Sequence, residues 1–299
     1  MGWCTVNRES LEAGMTIANT VYRHGKGLPL VLVHAFPVDH RMWDRCAASL
    51  IAQADRAGIE PFPVYAPDMP GAGDCPLPGP TSCGPEDSDG ALPGALDAMA
   101  QAFVDMIAAT GAQKAIWVGL SMGGYLVEAV ARLYPRMVAG LALCDTTMMA
   151  DRPASRANRL RIARTCEVEG TLDPVMHFAR PQEGDSTVKC SPAFVQTMTE
   201  WIQSQDPRGI AWRERMAAGR PDQSDLAGRI RVPVALVSGR CDPSSSPSTM
   251  EPLAQTMRQA GTDVTFTAIE DCGHFSAVEH PDQVAAALLD LVRRVGGQS

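Results

Sequence analysis

Residues 119–123 read Gly119-Leu120-Ser121-Met122-Gly123, a G-x-S-x-G pattern followed by a further glycine, Gly124. Five residues of this kind arise often by chance. Here a strand-like run precedes them (Ala115–Gly119, AIWVG) and an apolar helix-like run follows them (Met122–Tyr134). That context predicts a sharp strand-to-helix turn that lifts the Ser121 hydroxyl above a sheet edge, with small neighbours letting the backbone pass closely. A serine hydroxyl is a poor nucleophile and needs a base, and imidazole is the side chain suited to neutral pH. Six histidines are present. His24, His40 and His280 read as surface or turn residues, His177 falls in a helical stretch, and His34 ends a core strand, where a hydrogen-bonded structural role is expected. His274, in Asp271-Cys-Gly-His-Phe between a predicted strand and the last helix, alone completes the chain order Ser…acid…His.

The imidazole in turn needs a carboxylate to hold its tautomer and balance its charged form. Asp242, in Ser238-Gly-Arg-Cys-Asp-Pro, follows a predicted strand and so sits at the sheet end where open α/β sheets place their ligands. Asp145, after the preceding strand, is the alternative. Asp271 lies too near His274 in sequence, and Asp68 reads as a loop brace. Attack by Ser121 on a carbonyl would create an oxyanion, which needs N–H donors already in place. The Met122 backbone N–H, at a helix start, is one expected donor. The second is the Phe36 backbone N–H, in the loop His34-Ala35-Phe36-Pro37. The chemistry implied is acyl transfer to Ser121 and hydrolysis of the acyl-enzyme.

The elements that must position these residues follow from the apolar pattern. Leu28–Val33 (LPLVLV), Val138–Cys144 (VAGLALC), Val232–Ser238 (VPVALVS) and Val264–Ile269 read as buried strands, and Ile59–Ala66 has strand character. Met42–Ala54, Leu96–Thr110 (closed by Gly111) and Pro281–Val295 read as helices. Strand and helix alternate, which argues for a mostly parallel central sheet flanked by helices. Between Thr146 and about Arg229 the pattern is helical only (Ala154–Glu169, Pro192–Gln205, Ile210–Ala218), as expected for an inserted helical cap. Its Met148, Met149, Met176, Phe178, Met198, Trp201, Trp212 and Met216 either pack that cap or face an acyl or alkyl group. Thirteen of the 28 residues in Pro67–Gly94 are Pro or Gly, so this stretch reads as a long mobile loop, more a surface excursion than a pocket rim.

His34-Ala-Phe-Pro, Pro67-Asp-Met-Pro-Gly, Gly119-Leu-Ser-Met-Gly-Gly, Gly239-Arg-Cys-Asp-Pro and Gly273-His-Phe occur in the order of the α/β-hydrolase superfamily. The chain resembles that superfamily over about residues 28–145 and 231–295. Among its members it is similar to small esterases, enol-lactonases and cofactor-free perhydrolases. Cys144-Asp-Thr-Thr with Ser155-Arg-Ala-Asn-Arg resembles the strand-to-cap junction of the enol-lactonase-like members. The resemblance implies the α/β-hydrolase fold, with a core in two parts (1–145 and 231–299) and a cap at 146–230. It implies a carboxylesterase-like serine hydrolase acting on a small-molecule ester or lactone with no cofactor. The same residues could serve acyl transfer, perhydrolysis or C–C bond hydrolysis, or the fold could serve as a small-molecule binding protein. Dehalogenase-like and epoxide-hydrolase-like members are expected to carry aspartate where Ser121 stands. The family loop usually reads His-Gly; Ala35 stands in for that glycine, which strains the loop if the position needs a positive φ.

Composition excludes several other classes. A hydrophobic fraction of 45 % with 20 % charged residues is that of a globular chain, not a disordered one. A net charge of −8 with no basic run disfavours nucleic acid and anionic membranes as partners. No apolar run reaches the ~18 residues of a membrane span. Arg8, Glu9 and Glu12 interrupt the first twenty residues, so a secretory signal is not expected and a cytoplasmic location is. Nine cysteines occur without any Cys-x-x-Cys, and free thiols are the default. Cys241 and Cys272 lie in the acid and base loops, and a contact between them could brace those loops or respond to oxidation. Neither His-Glu-x-x-His nor a phosphate-binding glycine loop is present, so no metal site is expected.

Overall fold

The computed structural model describes residues 15–297. Seven strands form one sheet. In chain order they are β1 (Asn19–Arg23), β2 (Leu30–Val33), β3 (Val64–Pro67), β4 (Ala115–Leu120), β5 (Val138–Cys144), β6 (Val234–Gly239) and β7 (Val264–Ile269). Their spatial order is β1-β3-β2-β4-β5-β6-β7; β1 runs antiparallel to β3 and every other pair is parallel. Every residue of β2, β4 and β6 is buried. Helices on both faces produce that pattern and explain the unbroken apolar runs of these strands.

The helices are α1 (Asp44–Arg56), α2 (Ala95–Ala109), α3 (Met122–Leu133), α4 (Pro153–Glu169), α5 (Pro192–Gln203), α6 (Pro207–Gly219), α7 (Pro247–Gln259), the single turn α8 (Ser276–Glu279) and α9 (Pro281–Gly296). In α9, Val284, Leu288, Leu291 and Val295 are buried at helical spacing, and this face packs on α1 and β5. Gly111 stops α2 with φ +87°. Between β5 and β6 the described residues form helices and no strand, and α4 packs lengthwise on α6.

Several expectations needed correction. Strand β3 starts at Val64, not Ile59, because Pro61 and Pro63 have no N–H for the ladder. Strand β1 is half-exposed along most of its length, so it carries no apolar run to detect. Helix α7 was hidden by Pro247 and Pro252. The proline- and glycine-rich loop is not a surface excursion. Asp68, Met69, Ala72, Cys75, Cys83 and Ala91 are buried in it. Its far half is stitched to α4 and α6: Arg156 pairs with Asp87 (3.1 Å) and Asp89 (2.8 Å). The Leu92 N–H donates to Arg215 O at 3.0 Å, Arg215 Nε donates to Gly90 O at 2.7 Å, and Arg215 also pairs with Glu86.

Candidate active site

Strand β4 ends at Leu120 and α3 begins at Met122, leaving Ser121 alone at the turn with φ 53° and ψ −115°. A non-glycine residue there costs on the order of 1–3 kcal/mol and must be held by its surroundings. The Ser121 N–H donates to Cys144 O at 2.9 Å, and Thr146 Oγ1 donates to Ser121 O at 2.7 Å. The flanking glycines are required by space. A Cβ on Gly119 would lie 2.3 Å from Gly123 O, and one on Gly123 would lie 2.3 Å from Val33 O.

The loops after β6 and β7 bring in the other two residues. His274 Nε2 lies 2.8 Å from Ser121 Oγ, and His274 Nδ1 lies 2.8 Å from Asp242 Oδ2. A carboxylate only accepts, so Nδ1 carries the hydrogen and the Nε2 lone pair faces the serine. Burial opposes charge on His274, but the charge and hydrogen bond of Asp242, aided by Asp145 and Glu279, outweigh it. The net effect holds the imidazole above its ordinary value. Asp242 sits below its ordinary value: burial pushes it up, and His274 with the Ser244 hydrogen bonds pulls it further down. Asp145 is not the histidine's partner. It is fully buried at φ 46°, with Oδ1 accepting from the Gly239 N–H at 2.8 Å and Oδ2 unpartnered. Burial first, then the neighbouring charge of Asp242, raise its carboxyl well above the usual carboxylate range.

The Phe36 and Met122 amides have no acceptor among the described residues, and both residues line the cleft above Ser121. Ala35 introduces no strain, since Ser121, Asp145 and Asp271 are the only non-glycine residues with positive φ among those described. The Ala35 N–H instead points to Met42 Sδ at 3.0 Å. His34 is wholly buried: Nδ1 donates to Ala35 O at 2.9 Å and Nε2 accepts from the Met69 N–H at 2.9 Å, a neutral structural imidazole. His40 is not a free surface residue. Both its N–H and its Nδ1 meet Asp68 at 2.8 Å. Asp39, His40 and Asp68 bring ligand-type atoms within 4.8 Å of one another. Those atoms are already engaged, Asp39 by Arg41 and Gln205 and Asp68 by His40.

Cys241 and Cys272 are free thiols, and their loops are braced by the backbone instead, the Cys241 N–H donating to Cys272 O at 2.7 Å. Two residues that pattern reading missed also hold the site. Ser244 donates both its N–H and its Oγ–H to Asp242 Oδ1 at 2.8 Å. An Asp followed two residues later by Ser is a recognisable side-chain turn, so that signal was available. Glu279 accepts from the Gly273 N–H at 2.6 Å and the Phe275 N–H at 3.1 Å, the residues on either side of His274. No local pattern marks it.

The cleft over Ser121 encloses about 680 Å³. Of the apolar residues singled out in the helical stretch, only Met149 and Phe178 line it. They share that wall with Ala150 and with the polar Asp151, Ser155, Arg159 and Arg220. Asp151 bridges Arg159 (2.5 Å) and Arg220 (2.9 Å), and Arg159 also pairs with Glu214 at 2.7 Å. Among the described residues, no helix is long and apolar enough to cross a membrane.

Comparison with known proteins agrees with this architecture. The model of the alpha/beta hydrolase family matches residues 30–287. A solved, malate-bound esterase from Thermogutta terrifontis is 30 % identical, with a TM-score of 0.77 over 93 % of each chain. A pimeloyl-[acyl-carrier protein] methyl ester esterase from Aromatoleum aromaticum is 24 % identical over 275 residues, covering 88 % of this chain and 98 % of the relative. Lipase LipV from Mycobacterium tuberculosis is 26 % identical over 282 residues, covering 92 % and 97 %.

Proposed function

The chain belongs to the alpha/beta hydrolase family, and from that premise we propose that it is a serine hydrolase cleaving a carboxylic ester or lactone through an acyl-enzyme. Ser121 attacks the carbonyl as His274 takes its proton, and Asp242 keeps the imidazole oriented and balances its charge. The Phe36 and Met122 N–H groups receive the oxyanion, each such donor lowering the barrier by about 3–4 kcal/mol. His274 then protonates the leaving alcohol and activates the water that releases the acid. Residues 146–230 act as a cap over a core made of the described parts of 1–145 and 231–299, residues 15–145 and 231–297; residues 1–14 and 298–299 lie outside the described residues. The observation that carries this reading is the Ser121–His274–Asp242 chain, with 2.8 Å at each link.

The esterase relatives support the same bond type. Serine at the elbow argues against epoxide and haloalkane chemistry, for which the superfamily resemblance implies aspartate. Met149 and Phe178 suit a short acyl or alkyl group, whereas the paired charges of Asp151, Arg159 and Arg220 would be desolvated by a long fatty chain.

Hydrolysis of p-nitrophenyl acetate, butyrate and octanoate by wild type and Ser121→Ala tests this. Turnover favouring the short esters is expected, with a loss of about 10⁴-fold or more in the variant. No turnover, together with no labelling of the wild type by a fluorophosphonate, would overturn it.

A further inference from the structure

We propose that Arg213, on α6, is a positioning residue for this reaction, gripping the loop that presents the Phe36 N–H to the oxyanion. The proposal rests on the serine-hydrolase reading above.

Arg213 is completely buried, and no carboxylate lies within ion-pair distance of it among the described residues. A buried guanidinium is expensive, and an apolar side chain of similar size would pack at least as well. The directed hydrogen bonds of the planar fork are what an apolar side chain could not supply. Nη1 donates to Val38 O at 3.0 Å, two residues past Phe36. Nη2 donates to Gly71 O at 3.3 Å and Gln205 Oε1 at 3.1 Å, and Nε donates to Gly209 O at 3.2 Å. The guanidinium carbon sits 5.6 Å from the centre of the Phe36 ring, a cation–π distance. One side chain therefore holds the Phe36 loop at its ring and at Val38 O, and ties both to Gly71 and to its own helix.

Helix α6 is brought close enough for this by contact between two glycines: a Cβ on Gly209 would lie 1.9 Å from Gly71 O. Asp39, in the same loop, joins the network through Gln205 Nε2 at 2.7 Å and through Arg41. Burial lowers the guanidinium only to about 10, with Asp39 and Asp68 opposing it, so it stays charged at neutral pH. The Phe36 amide thus takes its place from a helix outside the sheet-and-loop framework that carries Ser121, His274 and Asp242.

Arg213→Lys keeps the charge and removes the fork. With p-nitrophenyl acetate, kcat should fall about 10- to 100-fold while KM changes by less than about 3-fold. Affinity for phenylboronic acid, whose serine adduct carries an oxygen at the oxyanion position, should fall by the same factor as kcat. Affinity for the product acid and the acid limb of the pH profile should hold. If Arg213→Lys does not fold, Gln205→Met, which removes one partner of the fork, should move kcat and boronate affinity together by about 3- to 10-fold. A folded variant with wild-type kcat and boronate affinity overturns the proposal. So does a loss shared equally by boronate and product acid. A wild type that neither turns over esters nor reacts with a fluorophosphonate would sink the hydrolase reading instead.

Discussion

Ser121, His274 and Asp242 each sit where another residue constrains them. Ser121 keeps its positive φ because Thr146 and Cys144 hold its peptide on both sides. His274 keeps its hydrogen on Nδ1 because Asp242 can only accept. As the proposed base, His274 would act only as neutral imidazole, so kcat/KM should fall as pH drops through its folded value. That value is raised by Asp242, so the acid limb lies on the alkaline side of an ordinary imidazole's. In Asp242→Asn the two strongest raising influences vanish while burial, which lowers, remains. The limb should therefore move to lower pH as kcat falls on the order of 10⁴-fold. A pH–rate profile of the variant checks both, and a limb moving to higher pH would contradict the assignment.

At the scale of elements, the helical stretch between β5 and β6 holds the His274 loop as well as the Phe36 loop. Ser186 Oγ donates to Glu279 Oε2 at 2.5 Å, and the same carboxylate takes the amides on either side of His274. The Thr187 N–H donates to Asp271 Oδ1 at 2.8 Å, at the start of that loop, and Thr187 Oγ1 reaches the same carboxylate. Glu279→Gln exchanges one accepting oxygen for an amide that must face donors. It should cost about 1–3 kcal/mol, or several degrees of Tm at about 2–4 °C per kcal/mol. Looser placement of His274 should lower kcat about 10-fold with little change in KM. Thermal melts and steady-state kinetics on one preparation check this; a destabilised variant with unchanged kcat would mean Glu279 serves the fold alone.

On the scale of the whole molecule, these ties bear on how substrate enters. A lid that opens on lipid must separate from its core without breaking many contacts. Here α4 and α6 are bound to residues 67–94 by Arg156, Arg213 and Arg215, and the segment just before α5 is bound to the His274 loop through Ser186 and Thr187. On the proposed hydrolase reading, substrate should then enter through the standing cleft of about 680 Å³. Tributyrin hydrolysis should therefore rise smoothly with concentration through the solubility limit. An abrupt increase at that limit would show that the layer opens at an interface.

The sequence by itself determined the sheet's apolar strands, the turn at Ser121 and the chain order of a serine, an acid after a later strand and His274. Each depends on short-range pattern: the run of residues buried on both faces, the glycines around a nucleophile, the loop that follows a strand. Only the tertiary structure decided between Asp145 and Asp242, since both end neighbouring strands and only the Asp242 loop reaches the imidazole. It also gave the loop at 67–94 its place, set the paired arginines Arg159 and Arg220 beside Met149 and Phe178 in the cleft wall, and brought Arg213 and Glu279 to the site. Those roles come from hydrogen bonds and ion pairs between segments far apart along the chain. No local period or propensity records such contacts; chain folding makes them, where a buried charge or amide must find its partner.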